Sequence, residues 1–293
     1  MTGLTPLAQS VNSSLLRLAD ELNTNKLQLP SPPATLIQLR TLIKEQADIN
    51  DISKLLNRDP HLSARIIKIA NSALFTSRLP VSSVKTAVIR LGLQKVCNLV
   101  TGLAITQSFI NNKTQGIEKT LKHSWDKSIL VAAIASTLAR TLTELDPEEV
   151  LLAGQVHNIG VPPLLFYINN LPELRDAPEL KIKVIHLVLT KRAAAVGSAI
   201  LKKWQFPAYM QQLPYLADSN VIAEAEAITV TELIQISVLL HKTNWQRPLK
   251  ALPPELLVHP AFHRLWENET LAVEQLDMMA DEIIQTRQLL SFI

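Results

Sequence analysis

The segment His157-Asn158-Ile159-Gly160 is where this sequence comes nearest to a reactive constellation. It closes an apolar stretch that begins at Pro147. A His-Asp doublet there would set imidazole beside carboxylate as ligands for a divalent ion, which could activate water for phosphoester hydrolysis. Asn158 occupies the second place instead. A carboxamide binds metal far more weakly than a carboxylate and brings no negative charge, so the residues alone favour a hydrogen-bonded His-Asn at a helix end. His259, His263 and Glu267 have i, i+4 spacing and would align three ligands on a helix. Pro260 belongs in a first helical turn, which turns His259 away from that face and predicts surface histidines rather than a metal site. His61, His123, His186 and His241 have no partner at ligand spacing.

Other chemistries find less support. Between Asp51 and Ser72, residues Lys54, Arg58, Arg65 and Lys68 imitate the phosphate-contacting face of a helix-turn-helix. A formal charge of +3, from 29 Lys+Arg against 26 Asp+Glu, is thin for a groove reader, so a solvated helix face is expected. Asn71-Ser72 reads as a C-cap and turn, since Asn tolerates left-handed φ. The 7 glycines form neither a G-x-G-x-x-G turn nor a phosphate loop, which argues against the common nucleotide folds. No nucleophile elbow or Cys-His pair can be placed. Cys97 is the single cysteine, so no internal disulfide or thiolate cluster forms; a reducing compartment, the cytoplasm, is expected.

These residues must be positioned by helices. Hydrophobic spacing is helical almost throughout the 293 residues, and the fold class expected is all-α. Asp59-Pro60 and Asp146-Pro147 each combine a side-chain acceptor at the N-cap with a preset φ at the first helical position. After Pro60, Leu62, Ile66, Ile69 and Ala70 define one packed face, while Pro30, Pro32 and Pro33 precede a helix carrying Leu36, Leu39, Leu42 and Ile43. The polar run 111–116 lacks apolar periodicity and divides the chain into an N-terminal helical bundle, 1–110, and a second bundle with a C-terminal helix, 111–293. Trp125, Ile129, Ala132, Ser136 and Ala139 form a small-residue stripe, with Leu130, Ile134 and Leu138 on another side of the same helix, which therefore belongs centrally. Further helices are expected at about 147–157, 179–190, 193–204, 222–242 and 270–290. The first twenty residues lack an export signal. The most apolar run, Ile129 to Ala139, is shorter than the ~20 residues a bilayer needs, so no membrane span is expected.

The motifs together resemble the HDOD family, the HD-related output domains of bacterial signalling proteins. The first half carries Leu29-Pro30, Arg58-Asp59-Pro60-His61-Leu62, Ile69-Ala70-Asn71-Ser72-Ala73-Leu74, and Val81 through Leu91-Gly92-Leu93. The second carries Trp125-Asp126-Lys127-Ser128, Leu152 through Gly160, and Val196-Gly197 through Trp204-Gln205-Phe206-Pro207. The resemblance covers about 22–242. It implies a multi-helix HD-like bundle related to metal-dependent phosphohydrolases, with the metal ligands lost: Lys127 stands at the place of the first imidazole, Asn158 at that of the carboxylate, Ala193 at that of a later His, and Leu216-Ala217 at that of a His pair. Of that set only His157 remains, and one imidazole cannot hold a catalytic divalent ion.

The resemblance thus implies a non-catalytic bacterial signal-transduction module, a pseudoenzyme without catalytic residues, metal or cofactor, that contacts signalling proteins supplied in trans. The alternatives are an HD phosphohydrolase acting on a nucleotide or cyclic dinucleotide, and a nucleic-acid-binding regulator; a small ligand in the vestigial cleft is left open. Lys127 has two readings. Its ammonium either replaces part of the metal's charge, bridging to the Asn158 carbonyl or a nearby carboxylate, or it reaches solvent over a buried stem.

Overall fold

The computed structural model describes residues 6–23, 29–72, 75, 80–110, 116–222, 224, 226–243, 249 and 251–291. Helices account for all the regular structure, with no strand among the described residues. In order they are α1 (Pro6–Asn23), α2 (Ala34–Lys44), α3 (Ile49–Leu56), α4 (Pro60–Ala70), α5 (Val84–Leu91), α6 (Leu93–Ile110), α7 (Glu118–Leu142), α8 (Pro147–Val156), α9 (Val161–Asn169), α10 (Pro178–Lys203), α11 (Ala208–Leu216), α12 (Val230–His241), α13 (Pro254–Leu257) and α14 (Glu269–Leu290). The all-α architecture is as expected.

Two compact units interleave along the chain rather than dividing at residue 110. One comprises residues 1–31, 113–125 and 158–215; the other comprises 32–112, 126–157 and 216–293. Most of the run 111–116, where the sequence suggested a boundary, lies outside the described residues.

The larger unit is organised on α7. Every side chain from Ser128 to Ala139 is buried, as the small-residue stripe requires of a central helix. α8 lies against it so closely that a Cβ on Gly154 would stand 2.4 Å from the Ala132 Cα. α6 also packs on α8, and a Cβ on Gly102 would fall 1.9 Å from the Gln155 Oε1. The caps follow the sequence: Asp59 accepts from the His61 and Leu62 amides, and Asp146 from those of Glu148 and Glu149. Gly92, with φ +85°, breaks α5 from α6, which cross at 118°. Asn71 is the C-cap of α4, at φ −100° rather than left-handed, and its carboxamide clamps Val81 through two 2.7 Å bonds. Arg65 does not offer a solvated phosphate contact; it reaches the C-terminal carbonyls of α14 at Leu290 and Ser291, where the helix dipole favours a cation.

In the smaller unit, Ile117, Leu121, Val161 and Leu165 form a core joined by Phe166, Ile185, Leu189 and Ala193. Trp204 donates to the Pro30 carbonyl at 3.0 Å, and α1 is tied down by Tyr167 Oη on the Ser14 carbonyl and by Ser14 Oγ on Glu173.

Three expectations change. The helices foreseen at 179–190 and 193–204 are one helix, α10, because Lys191-Arg192-Ala193-Ala194-Ala195 contains no breaker. The helix foreseen from 222 starts at Val230, where Thr229 and Glu232 form a capping box. Two helical stretches do reach the length and mean hydropathy of a membrane span, although neither is an unbroken apolar run: Pro147–Asn169 at 1.2 and Pro178–Lys203 at 1.5. The first is interrupted by the turn between α8 and α9, and the second carries Lys191 and Arg192 within it.

Gly154→Ala should lower stability by about 3 kcal/mol, since its methyl meets backbone that cannot yield. Gly102→Ala should cost less, because Gln155 presents a movable side chain. Urea denaturation of the two variants measures the difference.

Candidate functional site

The ring of His157 is positioned by the end of α8. His157 is the C-cap, its side chain is buried, and Nδ1 lies 2.6 Å from the Gly154 carbonyl. A carbonyl only accepts, so Nδ1 carries the proton and Nε2 keeps its lone pair. Nε2 is buried and has no protein partner among the described residues. Burial pushes the imidazole pKa down to about 4, helped by the Lys127 and His241 charges and opposed by the Gly154 bond and the Asp218 carboxylate. The ring is neutral at ordinary pH.

Lys127 lies on α7, immediately before its fully buried segment. Its side chain is 24 % exposed and its ammonium stands 3.7 Å from the Asp218 carboxylate, itself 70 % exposed. The lysine therefore combines the two readings: a covered stem, with a head directed at a carboxylate on the surface. Leu216 is half-buried and Ala217 buried. The loop containing them is fixed by Gln235 of α12, whose Nε2 donates to the Leu216 carbonyl at 3.0 Å and the Val221 carbonyl at 2.7 Å. Lys127, His157, Leu216 and Ala217 all belong to the larger unit.

Asn158 and Ala193 belong to the smaller one. There Asn158 Nδ2 donates to Ser124 Oγ at 3.0 Å, so its amide serves a hydrogen bond at a helix end. Ala193 lies where two helices touch: a Cβ on Gly160 would meet its carbonyl at 2.0 Å. A larger side chain than alanine would enter a crowded seam.

The donor set does not fit a divalent ion. An ammonium stands where the resemblance places an imidazole, and the Asn158 carboxamide brings no negative charge. Among the described residues no three His, Cys, Asp or Glu side chains converge. Nor do His259, His263 and Glu267 align. The chain there forms only a 3₁₀ turn at Phe262–Arg264, and His259 is buried rather than on the surface, accepting from the Ala261 amide at 3.2 Å. Its pKa is lowered by that burial, against an opposing effect from Glu232. Asp218 and His241 are the neighbours the sequence reading missed. Asp218 directly follows Leu216-Ala217, which could have drawn attention to it; nothing in the spacing of His241 could.

The family model for the HDOD domain matches residues 29–216. The chain belongs to the HDOD family. Its fold is similar to that of a Shewanella amazonensis SB2B protein provisionally named a metal-dependent phosphohydrolase, with TM-score 0.77, 24% identity, and coverage of 97% of this chain and 100% of the other. An HDOD domain protein of unknown function from Geobacter sulfurreducens gives TM-score 0.64 and 22% identity, covering 97% and 100%. A Marinobacter aquaeolei VT8 protein provisionally named for signal transduction gives 0.51 and 20%, covering 99% of this chain and 66% of that one. An uncharacterised Treponema pallidum protein is 22% identical over 189 residues, 61% of this chain and 35% of that protein, so the HDOD chain spans about a third of that relative's length.

The sign of the pH dependence follows from the depressed pKa. Between pH 6.5 and about 4 the unfolded chain binds a proton at His157 that the folded chain does not, so stability is whole above pH 6.5 and is lost as the pH falls towards 4. The loss should be on the order of 3 kcal/mol. His157→Asn, which keeps a donor for the Gly154 carbonyl, should flatten that slope in denaturant titrations at graded pH, and Lys127→Met should shift its lower limit upward.

Proposed function

We propose that this HDOD chain is a non-catalytic signalling module of the bacterial cytoplasm, acting through contacts with proteins supplied in trans. One observation supports the reading: the Lys127 ammonium, 3.7 Å from the surface carboxylate of Asp218, lies near enough to a neutral His157 to oppose its protonation, and the resemblance would put a metal ligand at Lys127. A cation already in that place repels a divalent ion by simple Coulomb interaction. The likeness in fold to a protein provisionally named for signal transduction agrees with this role.

A second reading, phosphoester hydrolysis, is supported by the likeness in fold to a protein provisionally named a metal-dependent phosphohydrolase and by one feature of the site. His157 Nε2 retains an unshared pair, buried and without a protein partner among the described residues. Nucleic-acid binding is weakened by the fate of the basic residues in 51–72: Lys54 is paired with Asp51 at 2.8 Å, and Arg65 is spent on the end of α14.

Purified protein supplied with manganese or iron should hydrolyse bis(p-nitrophenyl) phosphate and cyclic dinucleotides no faster than the metal alone. His157→Ala should leave that background unchanged. A turnover present in the wild type and abolished by His157→Ala would establish the phosphohydrolase instead.

A further inference from the structure

In the smaller unit, α10 is more apolar than its packing accounts for. Its most apolar window has mean hydropathy 1.5, yet only 33% of it is buried, whereas the α8–α9 stretch at 1.2 is 78% buried. Ile182 and Leu187 of α10 and Leu16 of α1 are all exposed. Between these helices runs a groove of about 260 Å³, lined by Leu15, Leu16, Leu18, Leu187 and Val188, with Lys191 and Arg192 as its charged members. α10 has six Lys and Arg against one acid, Glu179.

A concave apolar groove with cationic members calls for a protruding apolar side chain accompanied by carboxylates. The chain carries one. α14 has five acids against a single Arg287, and at its middle Met278 is 75% exposed. Glu274 and Asp281, four residues before and three after, are exposed on the same face. Ile284 extends the apolar part of that surface. Methionine is unbranched and flexible, suited to filling an irregular groove.

We propose that the α1–α10 groove of one copy receives the Met278 face of α14 from a second copy, so that the protein self-associates through a groove-to-knob contact. The two surfaces differ, so the contact is heterologous: it either closes into a ring or reciprocal pair or propagates. An anionic membrane would also attract exposed leucines among lysines. A flat bilayer leaves a concavity unfilled, and it gives no role to the acidic, apolar face of α14. The inference does not depend on the signalling role, because an enzyme of the same fold could associate in the same way.

Sedimentation velocity of the full chain from roughly 1 to 100 µM is the test, a range that captures contacts of ordinary strength. The sedimentation coefficient should rise with concentration, and added salt should weaken the association because charged groups flank the contact. Leu187→Glu in the groove and Met278→Glu on the knob should each weaken it at least ~10-fold. Both residues are exposed, so the core is spared. Mixed together, the Leu187→Glu chain still offers its knob and the Met278→Glu chain its groove. The mixture should therefore form a complex that neither variant forms alone, which also shows that both are folded. A wild type that stays monomeric throughout overturns the proposal, as does association that both variants leave intact. A mixture that fails to associate overturns the pairing of these two faces. A monomer that sediments with phosphatidylglycerol vesicles, and ceases to do so in Leu187→Glu, assigns the groove to a membrane surface instead.

Discussion

The environment of His157 depends on a contact between two backbones. At Gly154 and Ala132, α8 and α7 approach with no side chain between them, a Cβ on the glycine being only 2.4 Å from the alanine Cα. Close approach of this kind tolerates no added methyl, because packed interiors leave no room into which it could relax. The same glycine supplies the carbonyl that fixes the His157 ring through Nδ1. Helix packing therefore sets the tautomer and direction of the imidazole, and no ligand is needed to hold it.

Two of the charge centres in the larger unit differ in kind. Glu148, at the start of α8, is buried with its carboxylate 3.2 Å from Lys95 of α6 and 3.6 Å from Arg140 of α7. Arg140 also binds Glu282 of α14 at 2.8 Å. Four helices thus share one network around the buried Glu148 carboxylate, which keeps one cationic partner if either Lys95 or Arg140 is removed. Lys127 and Asp218 are the opposite case. Their separation is longer and the carboxylate is open to solvent, so the pair contributes ~0–1 kcal/mol. Glu148 ties helices of the larger unit together, and the Lys127–Asp218 pair adds little to that.

Local rules carried the sequence reading as far as they apply. Asp59-Pro60, Asp146-Pro147 and the small-residue stripe of α7 were legible because a cap or a packed face is written in consecutive residues. Reading stopped where partners are distant in the chain. His259 was placed on the surface because Pro260 marks a helix start, yet the segment buries the ring in a turn. Asp218 and His241 act on His157 from α12 and the loop before it, over separations that no spacing rule reports. The acidic face of α14 and the apolar excess of α10 were likewise invisible as surfaces, since exposure is decided by which neighbours arrive.

The two nitrogens of His157 separate what is structural from what is not. Nδ1 satisfies the Gly154 carbonyl and helps close α8, a task an amide side chain could also perform. Nε2 does nothing for the fold. It is buried with no protein partner among the described residues, and with no water to bind it such a group costs about 1–3 kcal/mol. Protonation would not relieve it, because desolvation and the Lys127 charge both oppose a cation there. A ring serving stability alone would be better replaced by a group without the second nitrogen. The unshared pair on Nε2 is thus the part of the ring that the packing of α8 does not use.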